Sequence, residues 1–225
     1  MSTTTSGPRR KRVGILISGR GSNMVSLIEA AQAPDYPAEI VCVISNRPEA
    51  GGLARAAALG IPTQVIDHKA FASREAFEVE LDRALRGHGV EIVACAGFMR
   101  KMTAGFVEGW RDAMINIHPS LLPSYKGLHT HARALEDGVK LAGCTVHFVR
   151  PELDSGPIIA QVAVPVLDGD TEDSLAGRIL EAEHRLYPHA LALVASGAAA
   201  VEGDRVVMRK LPINQTNPLF WPPLS

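Results

Sequence analysis

The residues best suited to chemistry are Asn116 and His118, within the stretch 114–127, MINIHPSLLPSYKG. Two positions apart on a strand, they direct their side chains to the same face of a sheet. An amide can donate a hydrogen bond to an oxyanion, and an imidazole can move a proton near neutral pH. Pro119 has no N–H and ends the strand there. The pair predicts either an oxyanion site or a buried histidine bonded to backbone, and these residues alone leave both open.

A glycine-rich turn, SGRGSN at 18–23, lies between a predicted first strand and a predicted first helix. Backbone N–H groups and the helix dipole bind anions at such a turn. The turn lacks the GK[ST] ending of NTPase phosphate loops, and Met24 replaces the third glycine of the dinucleotide fingerprint. The predicted second strand ends at Asn46, without the acid that holds a ribose. A single phosphate monoester is therefore favoured over NAD or ATP, with an ordinary strand-to-helix turn as the alternative.

A third candidate is Asp154, in the loop sequence LDSG. A carboxylate approaching His118 would stabilise its imidazolium, although Asp before Ser-Gly is also a common turn residue. His129 and His131 form an H-x-H pair without a further ligand at recognisable spacing, so no metal site is predicted. Since no nucleophile motif such as G-x-S-x-G is present, direct transfer is favoured over a covalent enzyme intermediate.

The elements that must position these residues alternate along the chain. Predicted strands cover 13–17, 40–44, 63–66 and 90–96, with predicted helices over 24–32, 52–59 and 73–86 between them. This order predicts an α/β fold with a doubly wound, mostly parallel sheet. The second half of the chain is richer in strand patterns and is expected to add antiparallel strands. Ligands of such sheets bind beyond the carboxyl ends of the strands, where the candidate residues lie.

Several local features carry their own predictions. Ser22 or Asn23 is expected to cap the first helix, and Ser73 the third. Thr171 is expected to begin a long helix reaching about residue 196, in which Pro188 predicts a kink or break. A hairpin with a Gly-Asp turn is predicted over 201–208.

Composition limits the classes of protein to consider. The chain has 225 residues, 46% of them hydrophobic, and a net charge of −1, which gives no general basis for nucleic-acid binding. Its three cysteines lie in apolar runs, which predicts buried free thiols and a cytoplasmic protein. No apolar run approaches the ~20 residues of a membrane span. We expect a flexible tail at 1–11, one domain with two lobes at 12–213, and a C-terminal tail at 214–225.

Taken together, the motifs resemble the folate-dependent formyltransferases. The segments that carry the resemblance run from residue 13 to about 188 and read VGILISGRGSN, ISNRPEAGGLARA, AGFMR, INIHPSLLPSYKGLHTHARAL, HFVRPELDSGPI and EAEHRLYP. The resemblance implies a Rossmann-like formyltransferase fold, with a phosphate-binding N-terminal lobe and a folate-binding C-terminal lobe. Lys101-Met102 and Ser124-Tyr125-Lys126 depart from the family pattern and affect the expected shape of the pterin site.

The resemblance also implies an activity. It implies transfer of a formyl group from the co-substrate 10-formyltetrahydrofolate to the amine of 5′-phosphoribosylglycinamide (GAR) in purine synthesis, without a metal. The implied catalytic residues are Asn116, His118 and Asp154, and the implied GAR-binding residues are Gly21, Ser22, Asn23 and Glu183. The implied folate-binding residues are Arg74, Met99, Arg100, Lys101, Met102, Asn116, Arg150, Pro151, Glu152, Leu153 and Asp154.

Three alternatives remain at this point. A formyltetrahydrofolate deformylase would carry an additional N-terminal domain, whereas only about 12 residues precede the first predicted strand. A methionyl-tRNA formyltransferase would carry a tRNA-binding domain and more basic charge. A non-catalytic folate- or nucleotide-binding module is disfavoured because Asn116, His118 and Asp154 are all present. We expect two small-molecule substrates, no nucleic-acid or membrane partner, and a monomer or homodimer.

Overall fold

A computed structural model describes residues 9–209. Its main sheet has seven strands, which run in chain order as Lys11–Ile17 (β1), Ala38–Ser45 (β2), Thr63–Val65 (β3), Ile92–Cys95 (β4), Met114–His118 (β5), Leu141–Phe148 (β6) and Ile158–Pro165 (β7). Their order across the sheet is β3-β2-β1-β4-β5-β6-β7. Strands β1 to β5 pair in parallel, whereas β6 and β7 pair antiparallel. The mostly parallel sheet with antiparallel additions is confirmed.

Helices cover both faces of this sheet. They are Ser22–Ala31 (α1), Gly51–Ala58 (α2), Arg74–Gly87 (α3), Ala104–Gly109 (α4), Thr130–Glu136 (α5) and Glu172–Ala195 (α6), with a short 3₁₀ helix at His68–Ala70. α1 and α6 pack in one core, and α3 and α4 in the core on the opposite face. Because both faces are covered, the parallel strands consist of nearly continuous buried apolar residues, as in β1 and β4. None of the helices within 9–209 is long and apolar enough to cross a membrane.

Helix α6 continues through Pro188, so of the kink or break predicted there, the break is wrong. Proline removes one helical hydrogen bond and costs about 3 kcal/mol in an isolated helix. Tertiary contacts on both sides of it offset that cost here. Tyr187 is fully buried, and its hydroxyl donates to the carbonyls of Cys95 (3.0 Å) and Ile115 (3.2 Å). The hydroxyl of Tyr36 donates to the carbonyl of Pro188 itself at 2.6 Å.

The helix starts show one further correction. Gly21 occupies the N-cap of α1 with a φ of 68° and no side-chain bond, so neither Ser22 nor Asn23 caps this helix. The predicted caps at Ser73 and Thr171 are confirmed, since each hydroxyl accepts a first-turn N–H. The hairpin is confirmed as Ala199–Glu202 (β8) and Arg205–Met208 (β9), which form a separate two-stranded sheet.

The sheet begins slightly earlier than expected. β1 starts at Lys11, within the stretch 1–11 that the sequence suggested as a tail, and the guanidinium of Arg10 donates to the carbonyl of Ala38 at 2.9 Å. The rest of that stretch up to residue 8, and the C-terminal tail, lie outside the described residues. The three cysteines are buried and free, as predicted, and burial raises the pKa of each thiol to about 12.

Gly156 must be a glycine for β6 and β7 to meet. A β-carbon at this position would lie 1.7 Å from the carbonyl oxygen of Phe148, a backbone atom that cannot move aside. We expect Gly156→Ala to lower the free energy of unfolding by about 3 kcal/mol, measured by urea denaturation. Gly177→Ala is the control, because a β-carbon there meets nothing within 4 Å, and it should raise stability by up to about 1 kcal/mol. Equal stability of the two variants would contradict this account.

Candidate active site

Asn116 lies directly opposite His147 across the antiparallel β5–β6 pair. The amide nitrogen of Asn116 is 3.3 Å from Nε2 of His147, and Nδ1 of His147 is 2.9 Å from the carbonyl oxygen of Phe148. Because a carbonyl only accepts, Nδ1 carries the proton and Nε2 accepts from Asn116. Burial lowers the pKa of His147 and favours this neutral form. His147 therefore holds the Asn116 amide with one N–H bonded and the other free to donate.

His118 ends β5 and is buried, with 6% of its surface exposed. Its Nε2 is 2.9 Å from the carbonyl oxygen of Tyr125, so that nitrogen carries a proton. Nδ1 lies 3.5 Å from Oδ2 of Asp154. When protonated at both nitrogens, the ring forms an ion pair with this carboxylate.

Asp154 comes from the loop between β6 and β7, and its side chain is 9% exposed. Its Oδ2 accepts the N–H of Gly127 at 2.9 Å, and its Oδ1 lies 3.9 Å from Nε2 of His147. The carboxylate therefore lies between two imidazoles. Its backbone has a φ of 48°, a left-handed conformation that costs a non-glycine residue free energy and is concentrated at functional sites.

A cavity of about 130 Å³ opens beside this cluster. The predicted folate-binding residues in its wall are Arg100, Lys101, Met102, Asn116, Arg150, Pro151, Leu153 and Asp154. The predicted residues Arg74, Met99 and Glu152 are not in the wall, and neither is His118, which reaches the cavity only through Asp154. The side chain of Met99 instead points outward, with 61% of the residue exposed.

Sequence reasoning did not assign five other residues of this wall. They are Cys95, Phe98, Val107, His147 and Val149. His147 is the polar member, and the signal that could have found it is its position in HFVR, three residues before the predicted Arg150. Its pairing with Asn116, 31 residues away, required the strand register.

The residues predicted to bind GAR also lie together. The amide of Asn23 donates to Oε2 of Glu183 at 2.7 Å, while its Oδ1 is buried and has no partner within the described chain. The first helical bond runs from Val25 to Gly21 and no side chain caps α1, so first-turn N–H groups are open to an anion. Burial of Glu183 raises the pKa of its carboxyl to about 7, partly offset by the bond from Asn23.

The anion-binding turn and the polar cluster lie two strands apart in the sheet. The turn follows β1 and the cluster lies on β5, and only β4 stands between them in the sheet. Two strand spacings amount to about 10 Å.

No group of three or more metal-ligating side chains occurs within residues 9–209. Of the H-x-H pair, His129 precedes α5 with a φ of 56°, and Nε2 of His131 is buried without a described partner.

The model of the formyl transferase family matches residues 11–191. The chain belongs to this family. Phosphoribosylglycinamide formyltransferase from Escherichia coli K12 is 42% identical over 199 residues, which cover 85% of this chain and 94% of that protein. A crystal structure of phosphoribosylglycinamide formyltransferase from Brucella melitensis is 58% identical and covers 84% of this chain and 97% of its own, with a TM-score of 0.81. These matches confirm the formyltransferase fold.

Some relatives in the family are much longer. The trifunctional purine biosynthetic protein adenosine-3 of Drosophila melanogaster is 53% identical over 198 residues, which cover 87% of this chain but 15% of that protein. The chain therefore spans less than a fifth of this relative's length.

The raised pKa of Glu183 predicts a pH-dependent stability. Because its pKa rises from an ordinary 4.5 to about 7 in the folded protein, the protonated form stabilises the fold. That contribution is fully present below pH 4.5 and is lost as the pH rises through 7. We expect wild type to lose about 3 kcal/mol relative to Glu183→Gln across this interval, measured by urea denaturation at each pH. A stability difference that stays constant across these pH values would contradict the assignment.

Proposed function

We propose that this protein transfers the formyl group of 10-formyltetrahydrofolate to the amine of GAR, giving 5′-phosphoribosyl-N-formylglycinamide and tetrahydrofolate for purine (IMP) synthesis. The observation that carries the proposal is the cluster of Asn116, His118 and Asp154 beside a cavity, two strands from an anion-binding turn. The two relatives named phosphoribosylglycinamide formyltransferase support it.

GAR would lie along the carboxyl ends of β1, β4 and β5. Its phosphate accepts N–H groups at the start of α1, from Ser22 and Asn23. Glu183, whose Oε2 accepts from the amide of Asn23, would bond the ribose hydroxyls. The separation of about 10 Å between turn and cluster suits a phosphate at one end of the substrate and the reacting amine at the other.

The folate would enter the cavity from the side of the two loops that form its wall. Phe98, Met102 and Val107 supply an apolar wall for the pterin ring. Arg100 and Lys101 place positive charge at the same cavity, where the carboxylates of the folate glutamate can pair with them.

In the proposed reaction the amine nitrogen attacks the formyl carbon, and the carbonyl oxygen becomes an oxyanion. The free N–H of Asn116 donates to that oxyanion, since its other N–H is held by His147. Asp154 accepts the proton that leaves the amine and passes it, directly or through water, to folate N10 as the bond between N10 and the formyl carbon breaks. His118 lies behind Asp154, with Nδ1 3.5 Å from Oδ2, and holds the carboxylate in position for this transfer.

The buried free thiols suit a reducing compartment, and we propose a cytoplasmic location. Both substrates are small molecules, and the site as described is formed by one chain, which is compatible with a monomer or a homodimer.

Removing the charge of Asp154 should stop the relay without disturbing the loop. Asp154→Asn keeps a residue type that tolerates the left-handed backbone. We expect kcat to fall roughly 10²–10³-fold while the KM for GAR changes little, measured by steady-state kinetics. Asp168→Asn, an exposed loop carboxylate after β7, should leave both constants unchanged. Wild-type turnover in the Asp154 variant would show that this carboxylate does not take part.

A second experiment separates transfer from hydrolysis. Purified protein is incubated with 10-formyltetrahydrofolate, with and without GAR, and tetrahydrofolate release is followed by absorbance. We expect release to require GAR and to be matched by an equal amount of formylated product. Release at the same rate without GAR would identify the deformylase reaction instead.

A further inference from the structure

We propose that Ser18 and Asn46 form a buried positioning pair that holds the loop 97–103 in its folate-binding shape, an inference that rests on the proposed function. The two residues directly follow β1 and β2, and neither lies in the wall of the cavity. They act on the site through the backbone of Met99.

The geometry of the pair is direct. The hydroxyl of Ser18 donates to Oδ1 of Asn46 at 2.5 Å and accepts the backbone N–H of Met99 at 2.8 Å. Ser18 is 5% exposed and Asn46 is 1% exposed. The Asn46 side chain therefore orients the Ser18 hydroxyl so that its lone pair faces the loop.

The loop depends on this contact because it has few others. At its start, the N–H of Ser18 donates to the carbonyl of Gly97 at 3.1 Å. At its end, the N–H of Thr103 donates to the buried carboxylate of Glu78 at 2.7 Å. Between Met99 and Thr103, no backbone hydrogen bond joins the loop to any residue in the described part of the chain. Yet this stretch supplies Arg100, Lys101 and Met102 to the cavity wall.

The pair also connects to the 3₁₀ helix. Nδ1 of His68, in the 3₁₀ helix, lies 2.9 Å from the backbone carbonyl oxygen of Asn46 and 3.1 Å from Nδ2 of the Asn46 side chain. One of these bonds forms with either tautomer, because Nδ1 can donate to the carbonyl or accept from the amide. Asn46 thus ties the segment that leads to α3, where Arg74 is the first residue, to the same hydroxyl that holds Met99.

The burial of Asn46 explains why this position carries an amide side chain. In dinucleotide-binding folds the end of the second strand carries an acid that faces a ribose. Here the same position is buried, and its side-chain oxygen accepts from the Ser18 hydroxyl within the protein. An apolar pair would fill the space without the desolvation that buried polar groups require, but it could not hold the Met99 N–H.

The test measures both substrates in Ser18→Ala and in Asn46→Ala. Ser18→Ala removes the acceptor of the Met99 N–H, and Asn46→Ala removes the group that orients this acceptor, so we expect the KM for 10-formyltetrahydrofolate to rise about tenfold and that for GAR to stay within about twofold. Because both changes break one linkage, the double variant should match the single ones. Hydrogen–deuterium exchange of the free protein should speed up in the peptide covering 98–102 and not in α1.

Ser45→Ala is the matched control, since the Ser45 hydroxyl is equally buried at the end of β2 but donates to the carbonyl of Arg47 at 2.8 Å. It should leave the folate KM and the loop exchange unchanged. The proposal is overturned if Ser18→Ala behaves like wild type, or if Ser45→Ala weakens folate binding as much. Should wild type fail to formylate GAR, the proposed function falls, and the exchange rates alone still decide whether the pair holds the loop.

Discussion

The reversal of strand direction between β5 and β6 is the constraint on which the polar cluster depends. Parallel strands send their carboxyl ends to one edge, where β1 and β4 deliver the anion-binding turn and the loop 97–103. β6 instead runs back along β5 and sets Asn116 opposite His147. Continued parallel pairing would need a crossover helix and would remove this partner. The antiparallel addition is therefore what gives the Asn116 amide a fixed orientation.

The same reversal brings Asp154 into place. β6 leaves the sheet beside the start of β5, and the loop that follows must fold back to reach His118. It does so with close backbone contact at Gly156 and a left-handed backbone at Asp154. Hydrogen bonding to the Gly127 N–H fixes the carboxylate at the end of this path. The left-handed backbone at Asp154 and the burial of His118 and His147 each cost free energy, and the packing of the sheet behind them offsets this cost.

Much of the fold could be predicted because the apolar patterns are local. The strands, the Ser73 and Thr171 caps and the hairpin follow from residues within a few positions of each other. The continuity of α6 through Pro188 could not be predicted from neighbouring residues. Contacts of Tyr187 with two strands, about 70 and 90 residues away, outweigh the cost of the proline. Ser22 or Asn23 was expected to cap α1, but the Asn23 side chain donates to Glu183, 160 residues on. His147 was missed for the same reason, since its role depends on register rather than on sequence neighbours.

The backbone conformation of Asp154 limits which amino acids can replace it. A left-handed backbone accepts glycine without strain and tolerates asparagine, so the replacements that fit best also remove the carboxylate. Neither would disturb the turn at α1 or the cavity wall formed by the loop 97–103. If the proposed function holds, a single substitution at this position would separate ligand binding from turnover while the fold is kept. Under the proposed function, this loop is a place where one residue change would convert a transferase into a protein that binds the same ligands without turnover.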